Sequence, residues 1–291
     1  MSTTQAPPAP SEETEFNAQR HVYEPHKVGL PPVGQYVREV WRRRDFAAEL
    51  SRTNLRAQHV NTVFGVFWLV INPLLLAAIY FVLVDILQKG SRNEDFFAHL
   101  VAGLFAYYFV SQAARQSVRA VTSGGRLILN TAFPRVLLPL ASVRTAFVRF
   151  LPPMGLYAVL HVVTGLPIEP TLLWVLPLVA LMLVLSSGLA MLLSAGQVYL
   201  RDLKEFLPYG LRIWLYASPI LYYADEIPER YKAILWLNPL GEILNAWSDV
   251  LNKGQAPEPK SLAIAAAWAF GLFVIGSLYF VSREREFAVR L

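Results

Sequence analysis

The sequence predicts an all-α integral membrane fold with six transmembrane helices and both termini on the cytoplasmic side. Three observations carry this. Of 291 residues, 55% are hydrophobic and only 16% charged, with mean hydropathy +0.39, whereas a soluble domain is about a quarter charged. Apolar runs of about 20 residues recur, each long enough to cross about 30 Å of hydrocarbon. Lys and Arg concentrate in alternate connections, as the positive-inside bias requires.

Residues 1–35 contain APPAPSEETEF, Pro25, Pro31 and Pro32 and few apolar side chains, which predicts a disordered cytoplasmic tail. No basic segment leads into an apolar core there, so the tail does not read as a signal peptide. Residues 36–58 predict an N-terminal amphipathic interface helix. Arg38, Arg42, Asp45, Glu49, Arg52 and Arg56 step by three or four residues along one face, while Tyr36, Val37, Val40 and Trp41 lie largely away from it. A basic helix carrying Trp beside a span suits the inner membrane interface; a solvated helix in a small cytoplasmic cap is the alternative.

Six spans are expected at residues 63–87, 96–118, 145–166, 172–195, 206–223 and 262–281. Asn72-Pro73 interrupts the first, Pro152-Pro153 lies in the third, and Pro219 lies near the end of the fifth. Arg42, Arg43, Arg44, Arg52 and Arg56 precede the first span. Arg115, Arg119, Arg126 and Arg135 follow the second, Arg201 and Lys204 the fourth, and Arg283, Arg285 and Arg290 the sixth. The other connections carry no excess of base over acid, so these basic segments face the cytoplasm. The net charge of +5 is therefore topological and does not call for nucleic acid.

The last external connection, about 225–253, reads as two short apolar-faced helices. Pro228 opens the first, with Ile227, Tyr231, Ile234 and Leu235 at helical spacing. Asn238 is placed to N-cap the second, with Pro239 at its first position and Leu240, Ile243, Leu244, Trp247 and Leu251 following. Helices too short to span predict a re-entrant hairpin; an external cap packed on the spans is the other reading.

The sequence carries none of the usual catalytic motifs. It has no Cys, no G-x-x-x-x-G-K-[ST] phosphate loop and no Asp-x-Asp pair. His21, His26, His59, His99 and His161 form no i, i+4 metal pair. The expected metal set and catalytic set are both empty. Charged residues within spans are costly. Arg144, Arg149 and Arg212 either snorkel to the inner headgroups or, Arg212 above all, meet a substrate phosphate. Tyr107, Tyr108, Trp214 and Tyr216 lie near mid-span. They either pack helices together or line a path on which aromatic faces stack against sugars.

The residues resemble the ABC-2-type permeases, specifically the polysaccharide exporters of O-antigen, teichoic acid and galactan. Phe67-Trp68 with Ile71-Asn72-Pro73-Leu74 carry the likeness in the first span. Leu127-Ile128-Leu129-Asn130, Phe133-Pro134-Arg135 and Leu138-Pro139-Leu140 carry it after the second. Tyr199-Leu200-Arg201-Asp202 ends the fourth, and Ser218-Pro219-Ile220, Tyr222, Pro228 and Asn238-Pro239 follow in the fifth and beyond.

The resemblance implies that residues 59–291 are a six-span permease domain, working as a homodimer with two separate ABC ATPase subunits in the plasma (inner) membrane. No cofactor is expected in this chain, because ATP and Mg would sit on the partner ATPase. The segment at about 116–139 would couple to that ATPase through Arg126, Leu127, Ile128, Asn130, Phe133, Pro134 and Arg135. Gate helices at 225–253 would act with Asn72, Pro73, Pro219, Tyr222, Pro228, Asn238 and Pro239 as gate and hinge. The implied substrate is an undecaprenyl-diphosphate-linked polysaccharide, galactan or O-antigen. The rivals are an ABC-2 permease for a small amphipathic drug or lipid and a membrane-embedded acyltransferase built around His161.

Overall fold

The computed structural model describes residues 32–59, 67–87 and 94–291. Expectations for the tail before residue 32, and for the start of the first span before residue 67, lie outside the described residues. The described secondary structure is entirely helical: α1 Val33–Arg42, α2 Arg44–His59, α3 Trp68–Leu87, α4 Glu94–Ser117, α5 Ala120–Ser123, α6 Gly125–Asn130, α7 Leu137–Val163, α8 Val175–Tyr199, α9 Leu203–Tyr216, α10 Lys232–Leu237, α11 Gly241–Asn252, α12 Pro259–Arg283 and α13 Phe287–Arg290. The single N-terminal helix expected at 36–58 is instead two, separated at Arg43, where ψ opens to 18°.

Among the described residues, five helices are long and apolar enough to cross a membrane: α3, α4, α7, α8 with the short turn before it, and α12 with its C-terminal extension. The fifth expected span differs. α9 has 14 residues and ends at Tyr216, so it covers about 21 Å, short of a full crossing. Ser218-Pro219 explains the early end. Pro219 has no N–H to continue the ladder and biases Ser218 away from helical backbone. The third span begins earlier than expected, at Leu137, because Pro139 falls in the first turn of α7, where an absent N–H costs nothing.

α4 is the central helix. Leu100, Val101, Leu104, Phe105, Phe109, Val110 and Ala113 are all buried, with α3, α7, α8 and α11 packed around it. Phe109 stacks on Phe150 of α7 at 5.3 Å between ring centroids. In lipid, such contacts replace water exclusion as the source of cohesion. α8 and α12 approach closely where Gly188 meets Gly276. A methyl group on Gly276 would lie 2.2 Å from the Gly188 carbonyl oxygen. Small residues that let two backbones touch are the membrane equivalent of a tight core.

The connection before α12 is asymmetric. α11 is buried along most of its length, and Trp247 is fully enclosed with its Nε1–H donated to the Ala102 carbonyl at 3.2 Å. α10 leaves Ile234, Trp236 and Leu237 exposed. α11 begins at Gly241, two residues later than the cap-and-proline pattern predicts. The Gly241 N–H donates to the Asn238 carbonyl at 3.0 Å, and a side chain there would strike the Leu235 carbonyl at 2.5 Å.

Candidate functional site

The structure brings the sequence-predicted aromatics together around α9. Leu211 and Leu215 face inward, and Arg212, Ile213 and Tyr216 face outward. Tyr107, buried in the middle of α4, donates its hydroxyl to the Leu211 carbonyl and meets Trp214 edge-on at 6.3 Å. The Tyr216 hydroxyl lies 3.4 Å from that of Tyr80 on α3. Arg212 and Tyr108 are both within electrostatic reach of the same Tyr80 hydroxyl. Tyr80 is the residue the sequence reading left out of this group. Its position in α3 marks it only once its contact with Tyr216 of α9 is seen.

Asn238 joins this cluster to the connection before α12. It is buried, and its Oδ1 accepts from Trp214 Nε1 at 2.6 Å and from the Leu240 N–H at 3.0 Å. Its Nδ2 donates to the Ala217 carbonyl at 3.1 Å and to Ser218 Oγ at 2.9 Å. The side chain expected as a helix cap is therefore a four-way tie between the end of α9 and the start of α11. Pro219 is buried beside it and Pro239 half-buried. Tyr222 reaches back to the Tyr216 carbonyl at 3.5 Å. Pro228 lies apart on the surface, accepting from the Tyr231 N–H at 2.8 Å.

On α3, Pro73 is buried within a continuous helix, while Asn72 is exposed. Asn72 lines a cavity of about 100 Å3 with Tyr108, Gln112 and Arg149. His161 is buried, with Nε2 3.1 Å from the Pro167 carbonyl. A carbonyl accepts only, so that nitrogen carries the proton and the ring secures the turn after α7.

The segment at 116–139 lies at the other end of α4, and its residues divide sharply. Ile128 and Pro134 are buried. Ile128 packs in a cluster with Val121, Val136, Phe280 and Phe287. Phe133 packs against Phe46 of α2, the rings tilted with centroids 4.9 Å apart. The Arg135 backbone N–H donates to the Glu284 carboxylate, which also accepts from the Tyr36 hydroxyl at 2.5 Å, and the Arg135 guanidinium donates to the Glu284 main-chain carbonyl. Leu127 is half-buried, whereas Arg126, Leu129 and Asn130 are exposed. The segment is thus an outward-pointing edge on an internally held frame. Glu284 was not foreseen, although a carboxylate within the basic run SREREFAVR is the signal that marks it.

Comparison with known proteins gives one family. The model of the ABC-2 type transporter family matches residues 46–251, well over half of the chain. Two proteins of Klebsiella pneumoniae, each named O-antigen export system permease protein RfbA, are similar to it. One is 26% identical over 245 residues, covering 84% of this chain and 94% of that protein; the other is 28% identical over 211 residues, covering 72% and 81%. A Myxococcus xanthus protein of the same name is 28% identical over 257 residues, covering 87% and 97%.

Proposed function

Because this chain belongs to the ABC-2 type transporter family, we propose that it is the membrane-spanning subunit of an exporter of an undecaprenyl-diphosphate-linked polysaccharide, of O-antigen or galactan type. The observation that carries this reading is the nearly full-length similarity to O-antigen export permeases. On this reading the chain is a multi-pass inner-membrane protein with both termini cytoplasmic, α9 and the turn after it forming the fifth of six crossings. It has no ATPase site of its own. It works as a homodimer with two separate ABC ATPase subunits, which hold ATP and Mg.

The internal layout supports a transmission path. α4 runs from the coupling segment to Tyr107, ten residues or about 15 Å before its end at Ser117. Tyr107 holds α9 at Leu211, and Trp214 of α9 holds Asn238. Closure of the ATPase pair would push Arg126, Leu129 and Asn130. The displacement passes along α4 to α9 and then to α10 and α11, which act as the exit gate. The glycan passes Tyr80, Tyr108, Arg212 and Tyr216 between the two copies, stacking on aromatic faces as it moves.

Affinity purification of the tagged full chain from its native membrane tests the assembly. Recovery of an ABC ATPase at one copy per permease supports it, and a permease recovered with none contradicts it.

A further inference from the structure

Beside the end of α4 lies a cleft of about 460 Å3, which shares only Arg126 and Leu127 with the coupling residues proposed above. This volume falls within the range of small-molecule sites, about 300–1,000 Å3. Arg115, Gln116 and Arg119 line it from α4 and the joint after it, Arg126 from α6, Asn54 from α2 and Ser142 from α7. No carboxylate among the described residues lines it.

Some other basic residues are matched: Arg43 with Glu39, Arg52 with Glu49, and both Arg283 and Arg290 with Glu286. Arg115, Arg119 and Arg126 have no carboxylate partner among the described residues. Gln116 adds an independent sign. Its Nε2 is buried with no hydrogen-bond partner among the described residues, and a buried donor left so is costly unless something supplies an acceptor.

The chemistry of the walls narrows that acceptor. Guanidinium groups pair with phosphate through two parallel hydrogen bonds, and three of them around one cleft favour a multiply charged oxyanion. Leu50, Leu127 and Leu138 give the cleft an apolar side. Leu50 and Asn54 belong to the basic helix α2, which docks on α7 through the Thr145–Ser51 hydroxyl pair at 2.9 Å. A charged floor with an apolar wall against such a helix suits a molecule with an anionic head and an alkyl tail.

We propose that this cleft holds the phosphate-bearing headgroup of a lipid. The exporter reading enters only in naming one of its two sources, the diphosphate of the transported lipid-linked glycan. The other source is an anionic phospholipid of the surrounding bilayer.

The test uses the purified full chain in phosphatidylcholine nanodiscs, titrated separately with undecaprenyl diphosphate and phosphatidylglycerol and read by native mass spectrometry. Arg115→Gln combined with Arg119→Gln weakens retention at least about tenfold, the loss expected when charge-assisted bonds are removed. Gln116→Met weakens retention while leaving the melting temperature of the lipid-free chain equal or higher, because the amide it removes has no partner among the described residues. A purely structural Gln116 would do the reverse. Selective loss of undecaprenyl diphosphate assigns the cleft to the transported lipid. Selective loss of phosphatidylglycerol keeps the cleft and removes the transported lipid as its occupant, whatever becomes of the exporter reading. Equal retention of both lipids by the unmodified chain and both variants overturns the proposal.

Discussion

Trp214 Nε1 donates to Asn238 Oδ1 at 2.6 Å, across 24 residues of sequence. This bond ties the outward-facing helix α9 to the buried helix α11. The Asn238 amide also holds the Ala217 carbonyl and Ser218 Oγ, so it fixes where α9 stops. Asn238→Leu leaves these groups without partners, at about 1–3 kcal/mol for each buried group orphaned. The expected result is a lower melting temperature of the detergent-purified chain and loss of export. Trp214→Phe keeps the ring contact with Tyr107 but not the N–H, and its effect is smaller in both measurements.

The proposed coupling edge separates by exposure. Arg126→Glu and Leu129→Asp change exposed side chains, so melting temperature stays within about 0.5 kcal/mol equivalent while ATPase co-purification is lost. Ile128→Ala empties a buried site and costs about 2–5 kcal/mol. Co-purification of Leu129→Asp at the unmodified level removes this edge from the interface.

Gly188 and Gly276 make a sharper stability prediction. A Cβ on Gly276 would meet three atoms of Gly188 at 2.2–3.1 Å. Gly276→Leu pushes α8 and α12 apart, at about 1–3 kcal/mol or more. Reduced membrane yield and a lower melting temperature are expected, whereas Gly271→Leu, where a Cβ has nothing within 4 Å, is tolerated.

Glu284 joins three segments, accepting from Tyr36 of α1 and from Arg135 before α7. Glu284→Ala removes both acceptors. Limited proteolysis then cuts more rapidly near residues 32–43, while the rate at the exposed residues around Pro228 is unchanged.

Much of this architecture was legible because lipid imposes a coarse code. Apolar runs of fixed length and a bias in Arg placement marked α3, α4, α7, α8 and α12 without any knowledge of contacts. Element ends were less legible. Pro139 reads as a breaker, but a first-turn proline does not break a helix. Residues 217–223 read as span because they are apolar, yet Ser218-Pro219 turns the chain and Ile220 packs against Gly103. Tyr107, Tyr108, Trp214, Tyr216 and Arg212 could be nominated from residue type, and they do converge. Their partners Tyr80 and Asn238 could not be assigned, since the pairings Tyr80–Tyr216 and Trp214–Asn238 exist only in the packed chain. Within 116–139, residue type did not separate the buried Ile128 and Pro134 from the exposed Arg126 and Asn130, because a six-residue helix is too short to show a clear face.

The central claim is export of a lipid-linked polysaccharide, and depletion of this chain in its own cell tests it most directly. Extracted lipids are analysed by mass spectrometry, and surface glycan is labelled in parallel. The account predicts that an undecaprenyl-diphosphate-linked glycan accumulates inside while its polymer disappears from the surface. Unchanged surface glycan with no internal accumulation would contradict it.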